Sequence, residues 1–173
     1  MVFLTILEKS VLKNFLIYFC IGSLVVTDYG IAFDEDIQKI IAQNKNKYEC
    51  YIANDNSIGQ IVISGNINDI DKFILDLKSN GIKNIKLPVS APFHCKLMKK
   101  ATDIMSKEIE KLELKNPKNT LISNVTGKEV NTSSAIKDLL IKQIESRVRW
   151  RESVVFMINK GVKQFVEIGP SKI

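Results

Sequence analysis

Apolar and polar residues recur along the chain in two rhythms, the first of which covers roughly residues 24 to 88. The stretch "SLVVTDYGIAF" has the apolar and β-branched composition of a strand. Asp34 then opens a predicted helix, "EDIQKIIAQN", in which Ile37, Ile40 and Ile41 fall on one face. The pattern therefore predicts a strand followed by an amphipathic helix.

The same rhythm continues with two more strands, "YECYIA" and "GQIVISG", separated by the turn-rich "NDNSIG". A second helix is predicted by apolar residues at three- and four-residue spacing: Ile67, Ile70, Phe73, Ile74 and Leu77. Gly81 lies where a helix C-terminus favours a left-handed residue, and Pro88 ends the strand "IKNIKLPV". The order β-α-β-β-α-β predicts a ferredoxin-like subdomain over residues 24–88.

Longer helices follow from residue 89 to the end of the chain. One apolar stripe joins Leu97, Met98, Ala101, Ile104, Met105, Ile109 and Leu112, which is typical of ordinary core packing. "TLISNV" is a predicted short strand, and "SAIKDLLIKQI" is a helix with Ser133 or Ser134 as its N-cap. "RESVVFMINKG" is a helix that ends at Gly161, and "KQFVEIG" is a last strand.

Strands separated by helices favour a parallel α/β layer over residues 89–173. A parallel sheet of only two strands cannot bury both of its faces. We therefore expect this region to be an incomplete part of a larger α/β domain. Apolar residues on the helix "KLMKKATDIMSKEIEKL" should then be exposed, which favours marginal stability or association.

Composition agrees with a globular protein, because 45% of the 173 residues are hydrophobic. The net charge of +6 comes almost wholly from lysines, since the only arginines are Arg147, Arg149 and Arg151. Such a diffuse positive charge attracts acidic partners without choosing among nucleic acid, an acidic carrier protein and a phosphorylated small molecule.

The N-terminal residues 1–23 form an apolar segment outside this pattern. Lys9 and Lys13 precede "FLIYFCIGSLVV", which resembles a signal peptide but lacks a small-x-small cleavage site and is too short to span a bilayer. A buried segment, or sequence foreign to the fold, is the favoured interpretation. Three cysteines without metal-ligand spacing disfavour a zinc site and favour a reducing cytoplasm, and we expect neither metal nor cofactor.

His94 is the only histidine, and it lies between a predicted strand and a predicted helix. Open α/β sheets place functional side chains at such points, where an imidazole can relay a proton to or from a nucleophile. A lone histidine can equally be a structural residue. The side chain of Cys95 would point in a different direction from that of His94, so the two are not expected to form a nucleophile–base pair. Ser23 lacks the G-x-S-x-G spacing of a nucleophile elbow. Both residues are interpreted as structural.

The stretch "RVRWR" has two interpretations. Arginines interleaved with Val148 and Trp150 could bind nucleic acid. A helix junction with Trp150 packed inward and solvated arginines is favoured, because no glycine-aromatic motif accompanies the cluster. The amides of "NDNSIGQ" could hold an anion, but turns of this composition are common without ligands.

Five blocks in order, "ANDNSIGQIVISG", "LPVSAPFHCKLMKKA", "SNVTGKEV", "IKQIESRVRWRESV" and "FVEIGPSK", resemble the malonyl-CoA:acyl carrier protein transacylases of type II fatty-acid synthesis. The resemblance covers residues 31 to 173. It implies an α/β fold with an α+β insert: the ferredoxin-like subdomain of residues 24–88, followed over 89–173 by the C-terminal part of an α/β-hydrolase-like acyltransferase domain.

The resemblance also implies a mechanism. In the family a GHSxG serine takes malonyl from CoA, and the phosphopantetheine thiol of acyl carrier protein then takes it from the serine. The block matching "SAPFH" implies that His94 is the general base, and the block matching "IKQ" implies that the main-chain carbonyl of Gln143 orients it. The implied partners are malonyl-CoA and acyl carrier protein.

Several family blocks do not occur in these 173 residues: the GQGSQ block of the oxyanion hole, the GHSxG nucleophile and the malonate-binding arginine. One hypothesis is a family transferase. Another is a truncated form, inactive alone, with a complementing N-terminal fragment elsewhere. A third is a remnant that only docks acyl carrier protein through lysines such as Lys96, Lys99 and Lys100.

Overall fold

A computed structural model describes residues 21–27, 33–89 and 91–166 of the chain. Within these ranges, no helix combines the length and the apolar character needed to cross a membrane. The described residues form a four-stranded sheet with two helices, followed by three helices and a two-stranded hairpin.

The first part has the predicted order of elements. The strands and helices are β1 Ile21–Thr27, α1 Phe33–Gln43, β2 Cys50–Ser57, β3 Gln60–Asn66, α2 Ile67–Ser79 and β4 Lys83–Leu87. The sheet order is β2-β3-β1-β4, and all neighbouring strands are antiparallel. This is the arrangement expected of a split βαβ unit, and the predicted ferredoxin-like fold is confirmed.

One apolar core lies between the sheet and the two helices. It consists of Val26, Ile37, Tyr48, Cys50, Ile61, Ile63, Ile70, Phe73 and Leu77, all almost fully buried. The rings of Tyr48 and Phe73 meet edge to face, with centroids 5.1 Å apart. The predicted helical spacing therefore does place Ile70, Phe73 and Leu77 on the buried face of α2.

Glycine ends α2 in the predicted way. Asn80 is the C-cap, and Gly81 follows it with φ of +71°. A side chain at this φ would clash with the following carbonyl, so glycine adopts it at least cost.

The turn predicted at "NDNSIG" is much shorter than expected. β2 continues to Ser57, and only Ile58 and Gly59 separate it from β3. The register with β3 shifts between Ile52 and Asn54 and again between Asp55 and Ser57. These irregularities hid the strand, because the pattern of polar residues no longer alternates across them.

The boundaries of the first strand also differ from the prediction. β1 begins at Ile21, ahead of the predicted subdomain boundary at residue 24, because its first residues pair with the end of β3. The strand ends at Thr27, and α1 begins at Phe33. The apolar segment predicted over residues 1–23 otherwise lies outside the described residues.

The second part contains α3 Lys99–Lys111, β5 Leu121–Ser123, β6 Lys128–Val130, α4 Ser133–Gln143 and α5 Trp150–Asn159. A single 3₁₀ turn, Lys96–Met98, leads into α3. Gly161 follows α5 with φ of +89°, consistent with the predicted helix end.

Among the described residues of this part, the strands pair antiparallel and not in the predicted parallel arrangement. β5 and β6 are antiparallel neighbours, joined through a turn in which the Gly127 amide donates to the Ser123 carbonyl. The sequence prediction missed β6 because three residues are too short a run to show a period. Residues 163–166 of the predicted last strand lie in no strand, and 167–169 lie outside the described residues.

Several large apolar side chains of this part are exposed. Ile104 and Leu112 on and just after α3 are 51% and 42% exposed, which confirms the expected exposure of that helix. On α5, Val155 and Ile158 are 50% and 53% exposed. Apolar side chains presented on two helices are typical of a surface that another segment covers.

The N-cap of α4 is Thr132 rather than the predicted Ser133 or Ser134, because the Thr132 hydroxyl accepts a hydrogen bond from the Ala135 amide. We expect Thr132→Ala to lower the free energy of unfolding by about 1 kcal/mol. Ser134→Ala is the matched control and should change it by less than about 0.5 kcal/mol. Urea denaturation followed by circular dichroism measures both, and equal losses would contradict the assignment.

Candidate active site

His94 lies in the connection between β4 and α3. Pro92 is fully buried just before it, and the Cys95 thiol donates a hydrogen bond to the Pro92 carbonyl at 3.1 Å. Cys95 is itself only 2% exposed. Pro92 and Cys95 are therefore anchored in the interior, whereas Phe93 is 39% exposed and the imidazole is partly buried.

The backbone of His94 is in the left-handed region, with φ of +61°. Among the described residues it is the one non-glycine residue with positive φ. Such a conformation costs about 1 to 3 kcal/mol and persists only where neighbouring structure imposes it. Pro92 and Cys95 are buried on the two sides of this residue, and its imidazole lies against the C-terminal end of α4.

The His94 Nδ1 lies 2.9 Å from the main-chain oxygen of Gln143, 49 residues further along the chain. Gln143 is the last residue of α4, so its carbonyl has no partner within the helix. A carbonyl oxygen only accepts hydrogen bonds, so Nδ1 must carry the proton. In the neutral ring, Nε2 is then left with a free lone pair.

Two opposing effects act on the pKa of His94. Burial lowers it, and the hydrogen bond to Gln143 raises it by favouring the protonated ring. The net pKa lies below the ordinary value of 6.5. The ring is therefore neutral at pH 7, with Nε2 able to accept a proton, which is the form that a general base requires.

Cys95 and Ser23 have different surroundings. Burial raises the pKa of the Cys95 thiol to about 11, so it stays protonated and unreactive at neutral pH. Ser23 lies within β1, where its main chain pairs with Ser64 and Leu87. A nucleophile elbow instead needs a sharp turn from strand to helix.

An apolar cavity of about 200 Å³ is lined in part by Gln143. Its wall is formed by β5, β6 and α4 together with Trp150 at the start of α5. Gln143 lines this cavity and also accepts the hydrogen bond from His94. A group that fills the cavity would therefore contact Gln143.

Sequence reasoning missed Asp55, which is fully buried in the edge strand β2. Its carboxylate accepts hydrogen bonds from Arg147 Nη2 at 2.7 Å, and from Arg151 Nε at 2.9 Å and Nη2 at 2.7 Å. Burial alone raises the pKa of Asp55, but the hydrogen bonds from Arg151 and Arg147 outweigh it, and the net pKa is lowered. The carboxylate is therefore ionised at neutral pH.

This pairing corrects the interpretation of "RVRWR". Arg147 and Arg151 lie against Asp55 instead of being solvated, and Trp150 is 48% exposed instead of packed inward. Arg149 pairs with Glu152 at 2.7 Å on the surface. The available signal was the concentration of all three arginines in one stretch, together with an acid in a segment that continues a strand.

The main chain between these arginines also pairs with β2. The Asp55 amide donates to the Val148 carbonyl, and the Val148 amide donates to the Ala53 carbonyl. The Arg149 amide donates to Asn124 in the turn after β5. The segment after α4 is thus tied to the edge of the ferredoxin-like sheet and to the hairpin.

The three lysines predicted to dock a partner are exposed shortly after His94 in the chain, Lys96 in the 3₁₀ turn and Lys99 and Lys100 at the start of α3. Lys99 forms an exposed ion pair with Asp103 at 2.6 Å. Surface pairs of this kind contribute little stability.

We expect nuclear magnetic resonance of ¹⁵N-histidine-labelled protein to give one imidazole, protonated at Nδ1, with a titration midpoint below 6.5. Gln143→Ala should leave both features unchanged, because the main-chain carbonyl remains. A ring protonated at Nε2, or a midpoint at or above 6.5, would contradict the geometry.

Comparison with known proteins places the chain in a family. No protein-family model matches it. The malonyl CoA-acyl carrier protein transacylase of Salmonella typhimurium is 34% identical over 141 residues, which cover 81% of this chain and 46% of the relative. The relative of the same name from Bacillus subtilis is 40% identical over 123 residues, covering 70% of this chain and 39% of the relative.

Solved structures give the same result. The crystal structure of malonyl CoA-acyl carrier protein transacylase from Clostridium perfringens superposes with a TM-score of 0.81 at 33% identity, covering 90% of this chain and 49% of that one. The predicted acyltransferase fold is confirmed by this match. The chain spans about half the length of these relatives or less. It belongs, over that part, to the family of the malonyl CoA-acyl carrier protein transacylases.

Proposed function

We propose that this chain supplies the general base for malonyl transfer from CoA to acyl carrier protein. The observation that carries the proposal is the hydrogen bond from His94 Nδ1 to the Gln143 carbonyl at 2.9 Å, in a ring whose pKa is lowered. Family membership supplies the substrates, since the relatives are named for this reaction.

In the first half of the proposed reaction, Nε2 of His94 removes the proton from a serine hydroxyl as its oxygen attacks the thioester carbonyl of malonyl-CoA. The tetrahedral intermediate then expels the CoA sulfur, which takes the proton from the imidazolium. The products are a malonyl serine ester and free CoA thiol. Gln143 accepts from Nδ1 throughout, which keeps Nε2 directed at the reacting atoms.

In the second half of the proposed reaction, malonyl passes from the serine ester to a different thiol. Nε2 removes the proton from the phosphopantetheine thiol of acyl carrier protein, and the sulfur attacks the ester carbonyl. The serine oxygen leaves and regains its proton from the imidazolium. Malonyl is then held as a thioester on the carrier protein, and His94 is again neutral.

The nucleophile belongs in this proposal to a part of the transacylase fold outside these 173 residues, because no GHSxG block occurs within them. The exposed apolar side chains of α3 and α5 and the cavity beside Gln143 offer that part a surface to pack against. Arg147 and Arg151 are engaged with Asp55, and Arg149 is paired with Glu152. The malonate-binding arginine is therefore also assigned to the complementing part.

Docking of acyl carrier protein is the narrower alternative. The exposed lysines that follow His94 in the chain would attract an acidic surface, more weakly at high salt. In this alternative the chain binds the carrier protein but transfers nothing.

A chimera separates the two proposals. We expect the transacylase of Salmonella typhimurium, with its matching segment replaced by this chain, to transfer radiolabelled malonyl from CoA to acyl carrier protein. His94→Gln in the chimera should lower kcat by roughly a hundredfold to ten-thousandfold, because the base is lost while the nucleophile remains. Label on the isolated carrier protein measures the rate.

Lys107→Gln is the matched control, since this exposed α3 residue lies away from the imidazole, and its rate should stay within twofold of the parent. If His94→Gln transfers malonyl as fast as the parent chimera, His94 is not the base. If the parent chimera transfers nothing although it folds, the docking alternative is favoured.

A further inference from the structure

We propose that Asp55 is a positioning residue for His94, acting through Arg147 and Arg151 on the carbonyl of Gln143. The inference rests on the proposed function for its catalytic consequence. Its structural part can be measured without any activity. None of the three residues contacts the imidazole in the hydrogen bonds described above.

Burial of the Asp55 carboxylate makes its pairing obligatory. Asp55 is 0% exposed and is the one fully buried acidic residue in the described part of the chain. A buried carboxylate must be paired, because its desolvation is otherwise too costly. The arginines that pair with it lie 92 and 96 residues away, so folding can bury Asp55 only if this distant segment is in place.

The geometry of the pairing fixes both arginines relative to Asp55. Arg151 approaches with Nε and Nη2 together, which fixes the plane of the guanidinium relative to the carboxylate. Arg147 Nη2 donates to Oδ2 of the same carboxylate. Val148 itself exchanges main-chain hydrogen bonds with Ala53 and Asp55 in a short parallel bridge. Side chains and main chain thus fix the same five-residue segment against β2.

This segment is connected to the imidazole through the end of α4. Arg147 follows Gln143 by only four residues, and the last turn of α4 is closed by hydrogen bonds from Ile144 and Glu145 back into the helix. The few residues between Gln143 and the segment 147–151 allow the Gln143 carbonyl little independent movement. Movement of Arg147 away from β2 would therefore shift the acceptor of the His94 hydrogen bond.

The other end of that hydrogen bond is attached to the same sheet. His94 is the seventh residue after the end of β4, and Pro92 and Cys95 near it are buried. The imidazole is thus positioned through β4 and its acceptor through β2. The pairing of Asp55 with Arg147 and Arg151 connects the segment after α4 to β2 of this sheet. We therefore expect the ring to keep its proton on Nδ1, with Nε2 directed outward, only while this pairing is intact.

The test uses the full 173-residue chain with ¹⁵N-labelled histidine, whose one imidazole gives one set of signals. Asp55→Asn keeps the size of the side chain and removes its charge. We expect the variant to lose the single Nδ1-protonated signature and to populate the Nε2-protonated ring. Arg151→Lys removes the two-point hydrogen bonding to Asp55 but keeps the positive charge, and it should show the same change to a smaller extent. This variant replaces Asp55→Asn in the test if Asp55→Asn does not fold.

Two controls separate positioning from general destabilisation. Arg149→Gln breaks the surface pair with Glu152 in the same segment and should leave the tautomer unchanged. Phe73→Leu lowers stability from the core of the sheet and should also leave it unchanged. An unchanged tautomer in folded Asp55→Asn and Arg151→Lys would overturn the inference, and so would an equal change in Phe73→Leu.

The chimera gives the catalytic consequence. Asp55→Asn there should lower kcat roughly ten- to a hundredfold with KM nearly unchanged, because misplacing a base affects the transition state and not substrate binding. An inactive parent chimera with a tautomer change in Asp55→Asn refutes the proposed function and supports the positioning role. An active parent with no tautomer change refutes the positioning role alone.

Discussion

The burial of Asp55 is the constraint on which the rest of the arrangement depends. A carboxylate with no exposed surface is stable only when charged donors surround it, and here they come from a segment more than ninety residues away. The two parts of the chain are therefore joined by an interaction that tolerates little misplacement. The bridge between Val148 and β2 adds main-chain hydrogen bonds to the same junction. Together they hold the segment that follows α4 against β2.

The end of α4 matters because a helix C-terminus presents carbonyls that have no partner in the helix. The Gln143 carbonyl accepts a hydrogen bond from His94 Nδ1–H and so selects the neutral tautomer with a free lone pair on Nε2. Burial of the ring keeps it neutral, and the left-handed backbone at residue 94 directs it toward the helix. Strain and burial are both unfavourable for an isolated histidine, and they are typical of a side chain held ready for chemistry.

Local patterns were enough to predict the ferredoxin-like part, since helical spacing in α2 and glycine at position 81 are signals within a few residues. The position of His94 between a strand and a helix made it a candidate from the sequence alone, but its pairing with Gln143 could be inferred only through the family resemblance, because nothing local relates residues 49 apart. Asp55 escaped prediction because a polar stretch in an irregular strand resembles a solvated turn. The antiparallel pairing of β5 with β6 escaped because three-residue strands show no period.

A neutral imidazole with Nε2 free to accept a proton is the central claim, and the pH dependence of kcat/KM for the chimera tests it most directly. Lowering the pH protonates Nε2 and abolishes the base, so kcat/KM should fall with an apparent pKa below 6.5, and this limb should be absent from the residual rate of His94→Gln. A rate that stays constant as the pH is lowered, or an acid limb retained in His94→Gln, would contradict the account.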